Sequence, residues 1–130
     1  MDIVIDTSAL LAVIVAEPER DRIVELTAGH TLIGPGSIPW EIGNAFSAML
    51  KQRRLTLAEA LKGLKIFHAI SLRLVKVDLE NAVSIADQTK CYAYDAYLLD
   101  CAVRHAAPLL TLDRGLKRAA RRTGVKLMEV

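Results

Sequence analysis

A three-layer α/β/α sandwich around a central, mostly parallel sheet is the fold class this sequence predicts. Short β-branched runs alternate along the chain with stretches of helical character, the pattern of a parallel sheet covered on both faces. The composition agrees: 52% of residues are hydrophobic and only 5% aromatic, a mixture of Ala, Leu, Val and Ile suited to helices packed on a sheet. A length of 130 residues allows one such core, so a single domain spanning 1–130 is expected.

The elements follow in order. Asp2–Ile5 is a short buried strand that runs directly into Asp6-Thr7-Ser8, a helix-capping sequence, and Leu10 to Ala16 continues as an apolar helix. Glu17-Pro18-Glu19 opens a second helix with proline in its first turn. Thr31–Ile33 is the next strand, closed by Gly34-Pro35-Gly36, after which Ser37 caps a helix running to about Lys51. Thr56-Leu57-Ala58-Glu59 has the capping-box pattern and starts a helix through Ala69. Arg73–Val77 is a strand, Asp78 caps a helix over Leu79–Thr89, and another helix covers Tyr94–Ala106. Leu109–Leu112 is a fourth strand, Arg114–Arg122 a basic helix and Val125–Met128 a closing strand. No internal repeat, low-complexity tract or linker interrupts this order.

The formal charge of +2 hides an asymmetry. Residues 1–50 hold seven acids and two bases, a net of −5, whereas residues 51–130 hold eight acids and fifteen bases, a net of +7. A basic half suits a polyanionic partner, and equally an ordinary solvated surface. Cys91 and Cys101 form neither a disulfide framework nor a zinc motif, which points to reduced thiols in a cytoplasmic protein. The apolar run Ile3 to Ala16 is broken by Asp6 and has no basic segment before it, so neither a secretory signal nor a membrane span is expected there.

The chemistry resides in scattered acids that this topology gathers. Ligands of open parallel sheets bind beyond the carboxyl ends of the strands, where strand order reverses. Asp6 and Asp113 each directly follow a strand, and Glu41 and Asp95 each lie in the first turn of a helix, so all four converge on one edge. Carboxylates held together repel one another, and a hard divalent cation, Mg²⁺ or Mn²⁺, resolves that repulsion. Such an ion can activate water and neutralise charge on a phosphodiester. Each acid also has an ordinary structural use: Asp6 and Asp113 as helix caps, Glu41 and Asp95 as partners of helix dipoles. The joint placement is what points to a metal site.

Ile3-Val4-Ile5-Asp6-Thr7-Ser8-Ala9-Leu10, Pro39-Trp40-Glu41-Ile42-Gly43-Asn44, Tyr94-Asp95-Ala96, Leu110-Thr111-Leu112-Asp113 and Gly124-Val125-Lys126 together resemble the PIN-domain nucleases, in the right order over the whole chain. The length is similar to that of VapC toxins from type II toxin–antitoxin pairs. The resemblance implies a sequence-selective endoribonuclease that needs Mg²⁺ or Mn²⁺, cuts a single-stranded or structured RNA such as a tRNA or rRNA loop, forms a homodimer and is inhibited by a small VapB antitoxin. It makes Asp6, Glu41, Asp95 and Asp113 the catalytic, metal-binding quartet, with Asp6 and Asp95 nearest the main ion. Thr7, Ser8 and Thr111 match hydroxyl positions beside such a site. A non-cleaving RNA- or partner-binding domain is the alternative, against which the intact quartet argues. A receiver domain is excluded, because a single Asp6 stands where an acidic pair is required.

Arg114, Lys117, Arg118, Arg121 and Arg122 form one charged stripe beside Asp113, a solvated face or a hold on RNA phosphates. Tyr92, Tyr94 and Tyr97 cluster near Asp95 and suit either packing or stacking on unpaired bases. His30, His68 and His105 have no ligand spacing, and Lys51, Arg53 and Arg54 complement a helix end. The apolar faces of the helices over 46–70 suit core packing, and beyond that a groove for an antitoxin helix. Asp100, about 140° around its helix from Asp95, approaches the cleft from another side or faces solvent or a partner.

Overall fold

The computed structural model describes residues 1–130. Its elements are β1 (Asp2–Ile5), α1 (Thr7–Ile14), α2 (Arg20–Thr27), β2 (Thr31–Pro35), α3 (Ile38–Lys51), α4 (Leu57–Ala69), β3 (Leu72–Val75), α5 (Leu79–Thr89), α6 (Ala93–Arg104), β4 (Leu109–Leu110) and α7 (Arg114–Arg122). The four strands pair in the order β3-β2-β1-β4, every pair parallel. Two crossovers step outward from β1 to β3, and the third returns past β1 to β4. With right-handed crossovers, α1–α4 then cover one face and α5 and α6 the other. The packing agrees: α1 touches α2, α3 and α4, while α6 lies over β1, β2 and β4 with α5 beside it. The expected three-layer sandwich is the observed one.

Its centre is built from the strands that read as continuous apolar runs. Ile3, Val4, Ile5, Ile33, Leu109 and Leu110 are buried, and Leu10, Ile38, Ile42, Leu99 and Leu116 close over them from the helices. Burying each such side chain is worth roughly 1.5–3 kcal/mol. At one point the packing requires glycine: a Cβ on Gly63 of α4 would stand 2.6 Å from Phe46 Cζ of α3.

Local signals account for most boundaries. Thr56 forms the expected capping box with Glu59, and Asp78 accepts from the Asn81 amide as the cap of α5. The helix expected from Glu17 starts instead at Arg20, because Glu17 and Pro18 are spent in the turn after α1. Ser37 stands at the cap of α3 but in helical conformation, and its hydroxyl donates to Glu41 Oε2 rather than capping. The strand expected over Leu109–Leu112 ends at Leu110, since the Thr111 hydroxyl bonds to Asp6 and to the Asp113 amide and turns the chain off the ladder. The closing strand over Val125–Met128 reduces to one bridge, Leu109 with Leu127. Its partner β4 is only two residues long and offers no longer ladder, and the closing segment itself is entered through Gly124 at φ +75°.

Asp100 departs from both readings of the sequence. It faces neither cleft nor solvent but is wholly buried, accepting from the Asp78 amide at 3.0 Å and from Asn81 Nδ2 at 2.7 Å. Arg104, one turn on, stands 3.8 Å away. The residue thus fastens the start of α5 to α6. No helix is long and apolar enough to cross a membrane.

Candidate metal centre and its flanking cavities

The site lies beyond the carboxyl ends of β1 and β4, where the strand order reverses. Asp6 follows β1 and is 4% exposed. Its Oδ1 accepts from the Ala9 amide at 3.0 Å, capping α1, so capping and site placement coincide in one residue. Ser8 Oγ lies 2.7 and 2.9 Å from the two Asp6 oxygens, and the Thr111 hydroxyl donates to Oδ2. Both hydroxyls also accept: Ser8 Oγ from the Leu112 amide and Thr111 Oγ1 from the Asp113 amide, each at 3.0 Å. Ser8 and Thr111 therefore tie the end of β1 to the turn that carries Asp113.

Asp113 caps α7 through Oδ2, which accepts from the Leu116 amide at 2.7 Å. Glu41 sits in the first turn of α3 and Asp95 in the first turn of α6. The buried hydroxyl of Thr7 lies beside Glu41.

The electrostatics link the four acids in a closed ring. Burial pushes the Asp6 carboxyl above its ordinary pKa, against hydrogen bonds from Thr111, Ala9 and Ser8, and the charge of Asp113 adds to the rise. Burial likewise raises Glu41, opposed by the Ser37 hydrogen bond and reinforced by Asp6 and Asp95. Asp95 is raised by burial and then by Asp113. Repulsion thus runs Asp6–Asp113–Asp95–Glu41 and back to Asp6.

Hard oxygen donors at mutually repelling positions fit Mg²⁺ or Mn²⁺. No three acidic, His or Cys side chains are drawn into a ready-made cage. Mg²⁺ does not require one, because it keeps several waters and takes one or two carboxylates directly. His30, His68 and His105 take no part in the ring.

Two cavities flank it. One, of about 300 Å³, includes Asp95, Lys90, Tyr92, Arg118 and Arg122. Of the five-residue stripe on α7, Arg118 and Arg122 thus line this cavity, and no cation of the stripe forms an ion pair. Lys90, left-handed at the end of α5 (φ 59°), joins them without having been foreseen. The other cavity, of about 320 Å³, is lined by Thr7, Trp40, Glu41, Asn44, Ala45 and Tyr94. Trp40 and Asn44 belong to the sequence motif around Glu41, which gives neither of them a role; their signal is the i, i+4 spacing on either side of Glu41.

The reversal point of this parallel sheet thus carries acidic residues from four parts of the chain, with cationic side chains beside Asp95. The chain belongs to the PIN domain family, whose model matches residues 3–122. No curated protein matches it by sequence. Among solved structures, PAE2754 from Pyrobaculum aerophilum is similar with a TM-score of 0.72 at 22% identity, covering 92% of this chain and 79% of that one. VapBC2 from Rickettsia felis, bound to a DNA fragment from their promoter, is similar at 0.67 and 17% identity, covering 98% of both chains. VapC20 of Mycobacterium tuberculosis, a sarcin–ricin-loop-cleaving toxin, is similar at 0.62 and 12% identity, covering 90% of this chain and 94% of that one. At these identities the likeness is one of fold.

Proposed function

We propose that the chain is a metal-dependent endoribonuclease, the toxin of a VapBC-type pair, with Asp6, Glu41, Asp95 and Asp113 as its catalytic and metal-binding residues. The carrying observation is the placement of four acids at the strand-end edge of the sheet: Asp6 after β1, Asp113 capping α7 after β4, and Glu41 and Asp95 in the first turns of α3 and α6. PIN membership and the fold shared with VapC20, itself an RNA-cleaving toxin, support it. A cognate antitoxin, a homodimer and a cytoplasmic setting belong to the same reading.

Asp6, Glu41, Asp95 and Asp113 would hold the Mg²⁺ or Mn²⁺, which when bound would supply Lewis acidity toward water and the phosphodiester. The chain supplies position. Ser8 and Thr111 hold both Asp6 oxygens, so that carboxylate reorients little when a cation arrives. Asp113 has one oxygen committed to the cap of α7 and the other free for the cleft. Arg118, Arg122 and Lys90 offer donors to RNA phosphates beside Asp95.

Binding of single-stranded RNA therefore weakens with salt, and Arg118→Ala and Arg122→Ala each flatten the log–log slope by about 0.7. Fluorescence anisotropy of a labelled RNA across a salt series checks this. Slopes unchanged in both variants would place the phosphates elsewhere.

Stability without metal carries a second signature. Asp6, Glu41 and Asp95 are raised by folding, so the folded state holds more protons than the unfolded one. Their contribution is most favourable at low pH and is lost as pH rises from about 4 through the raised folded values. Asp95→Asn removes one member of the ring. The metal-free variant is expected to be more stable than wild type at pH 7, by a margin that shrinks as pH falls through that window. Mg²⁺ at a hundred times its Kd stabilises wild type by about 2.7 kcal/mol and the variant much less. Urea unfolding with and without metal measures both, and a variant less stable than wild type without metal would count against the ring.

A further inference from the structure

Trp40 is the chain's one tryptophan and is 74% exposed, directly beside Glu41. Single exposed apolar side chains are ordinary, and what sets Trp40 apart is the company it keeps in one cavity. Trp40 and Asn44 stand one turn apart on α3 and form one wall of the cavity of about 320 Å³. Tyr94 of α6, 54% exposed, forms another. The Tyr94 ring is set by Tyr97, which meets it edge to face at 5.8 Å and 89° and is itself packed against the core. Glu41 and Thr7 make up the part nearest the carboxylate ring.

We propose that this cavity is a nucleobase subsite. It takes one unpaired base of the RNA, adjacent to the phosphate being cut, with Trp40 and Tyr94 as stacking surfaces and Asn44 hydrogen-bonding to the base edge. The inference rests on the ribonuclease reading and deepens it: the carboxylates decide that a phosphodiester is cut, and this pocket decides beside which base. Three features favour a base over an aliphatic or acidic group. Two aromatic side chains line one small cavity, and stacking on aromatic residues is how unpaired bases are held. The Asn44 amide offers both a donor and an acceptor, as a base edge does. Glu41 repels an anion at that position with no cation beside it, whereas the other cavity sets Lys90, Arg118 and Arg122 against Asp95 and suits the backbone phosphates.

The single tryptophan makes the test direct, because all indole emission reports on this pocket. Short homopolymers of A, C, G and U, and a matching abasic ribose-phosphate chain, are titrated against the Asp6→Asn variant, whose cutting is expected to be at least about 100-fold reduced. Labelled-RNA anisotropy is read in parallel. The expected result is saturable quenching by at least one homopolymer and none by the abasic chain. With the wild-type active site, Trp40→Ala raises KM by about tenfold or more with kcat largely kept, Trp40→Phe restores most of the loss, and Asn44→Ala alters the base preference. Anisotropy showing bound RNA while Trp40 emission stays still overturns the subsite and leaves the nuclease standing. Emission that responds to a co-purified partner protein but not to RNA also overturns it, making the pocket a protein-docking site. A diverse single-stranded and structured RNA pool that wild type neither binds nor cuts with Mg²⁺ or Mn²⁺ overturns the nuclease reading itself, and the subsite with it.

Discussion

Replacing Asp6 or Asp95 with Asn is expected to reduce RNA cutting at least about 100-fold, since even residues that merely orient metal ligands are worth about 10- to 100-fold. The substitution isolates charge from shape. In Asp6→Asn the side-chain carbonyl can still accept from the Ala9 amide and from Ser8, so the cap of α1 survives. What goes is one negative charge from the acidic cluster, and with it the carboxylate most firmly held by Ser8 and Thr111. Asp95 lacks that hydroxyl cradle, so the two variants probe the ring at its most and least supported members. Cleavage of a single-stranded RNA pool with Mg²⁺ or Mn²⁺, stopped by EDTA and followed by sequencing of the cut ends, is the measurement. Melting should show both variants folded. Robust activity in both removes the carboxylates from the chemistry. Silence on one chosen RNA does not, because an enzyme of this kind accepts a narrow set of loops.

How much of this was legible depended on whether a residue's role is local. Thr56 and Glu59 sit three apart, and the capping box they form is visible in four letters of sequence. The parallel sheet was legible because short β-branched runs alternate with helical stretches, as at β1, α1 and β2. Asp6 and Asp113 were legible as site residues because each ends a strand, which fixes the sheet edge on which it stands. The ends of β4 and the loss of the closing strand were not. They depend on Thr111 reaching Asp6, a contact across 105 positions of chain. The stripe on α7 was correct as a stripe, yet helical spacing alone does not say which of its members line a cleft. Trp40 and Asn44 were passed over for a related reason. Their meaning comes from Tyr94, which a different helix brings opposite them.

Asp100 is the sharpest case, because helical phase alone left it between cleft, solvent and partner. Asp100→Ala is expected to destabilise the fold by about 3 kcal/mol. Removing the carboxylate orphans the Asp78 amide and Asn81 Nδ2 and leaves Arg104 without its acid. The cost comes mostly from those stranded donors, so pairing the change with Asn81→Leu should recover part of it, since an apolar pair leaves fewer unmet groups. Asp100→Asn, which keeps one acceptor but brings an amide against existing donors, should fall between wild type and Asp100→Ala. Urea unfolding with an unchanged m value measures all three. Cutting per folded molecule should stay near wild type in Asp100→Ala, because the residue's partners are on α5 and one turn further along α6, not in the carboxylate ring. A loss of activity matching that of Asp95→Asn, without a loss of stability, would return Asp100 to the site; a large loss of stability with activity retained makes it the fastening of α5 to the helix that carries Asp95.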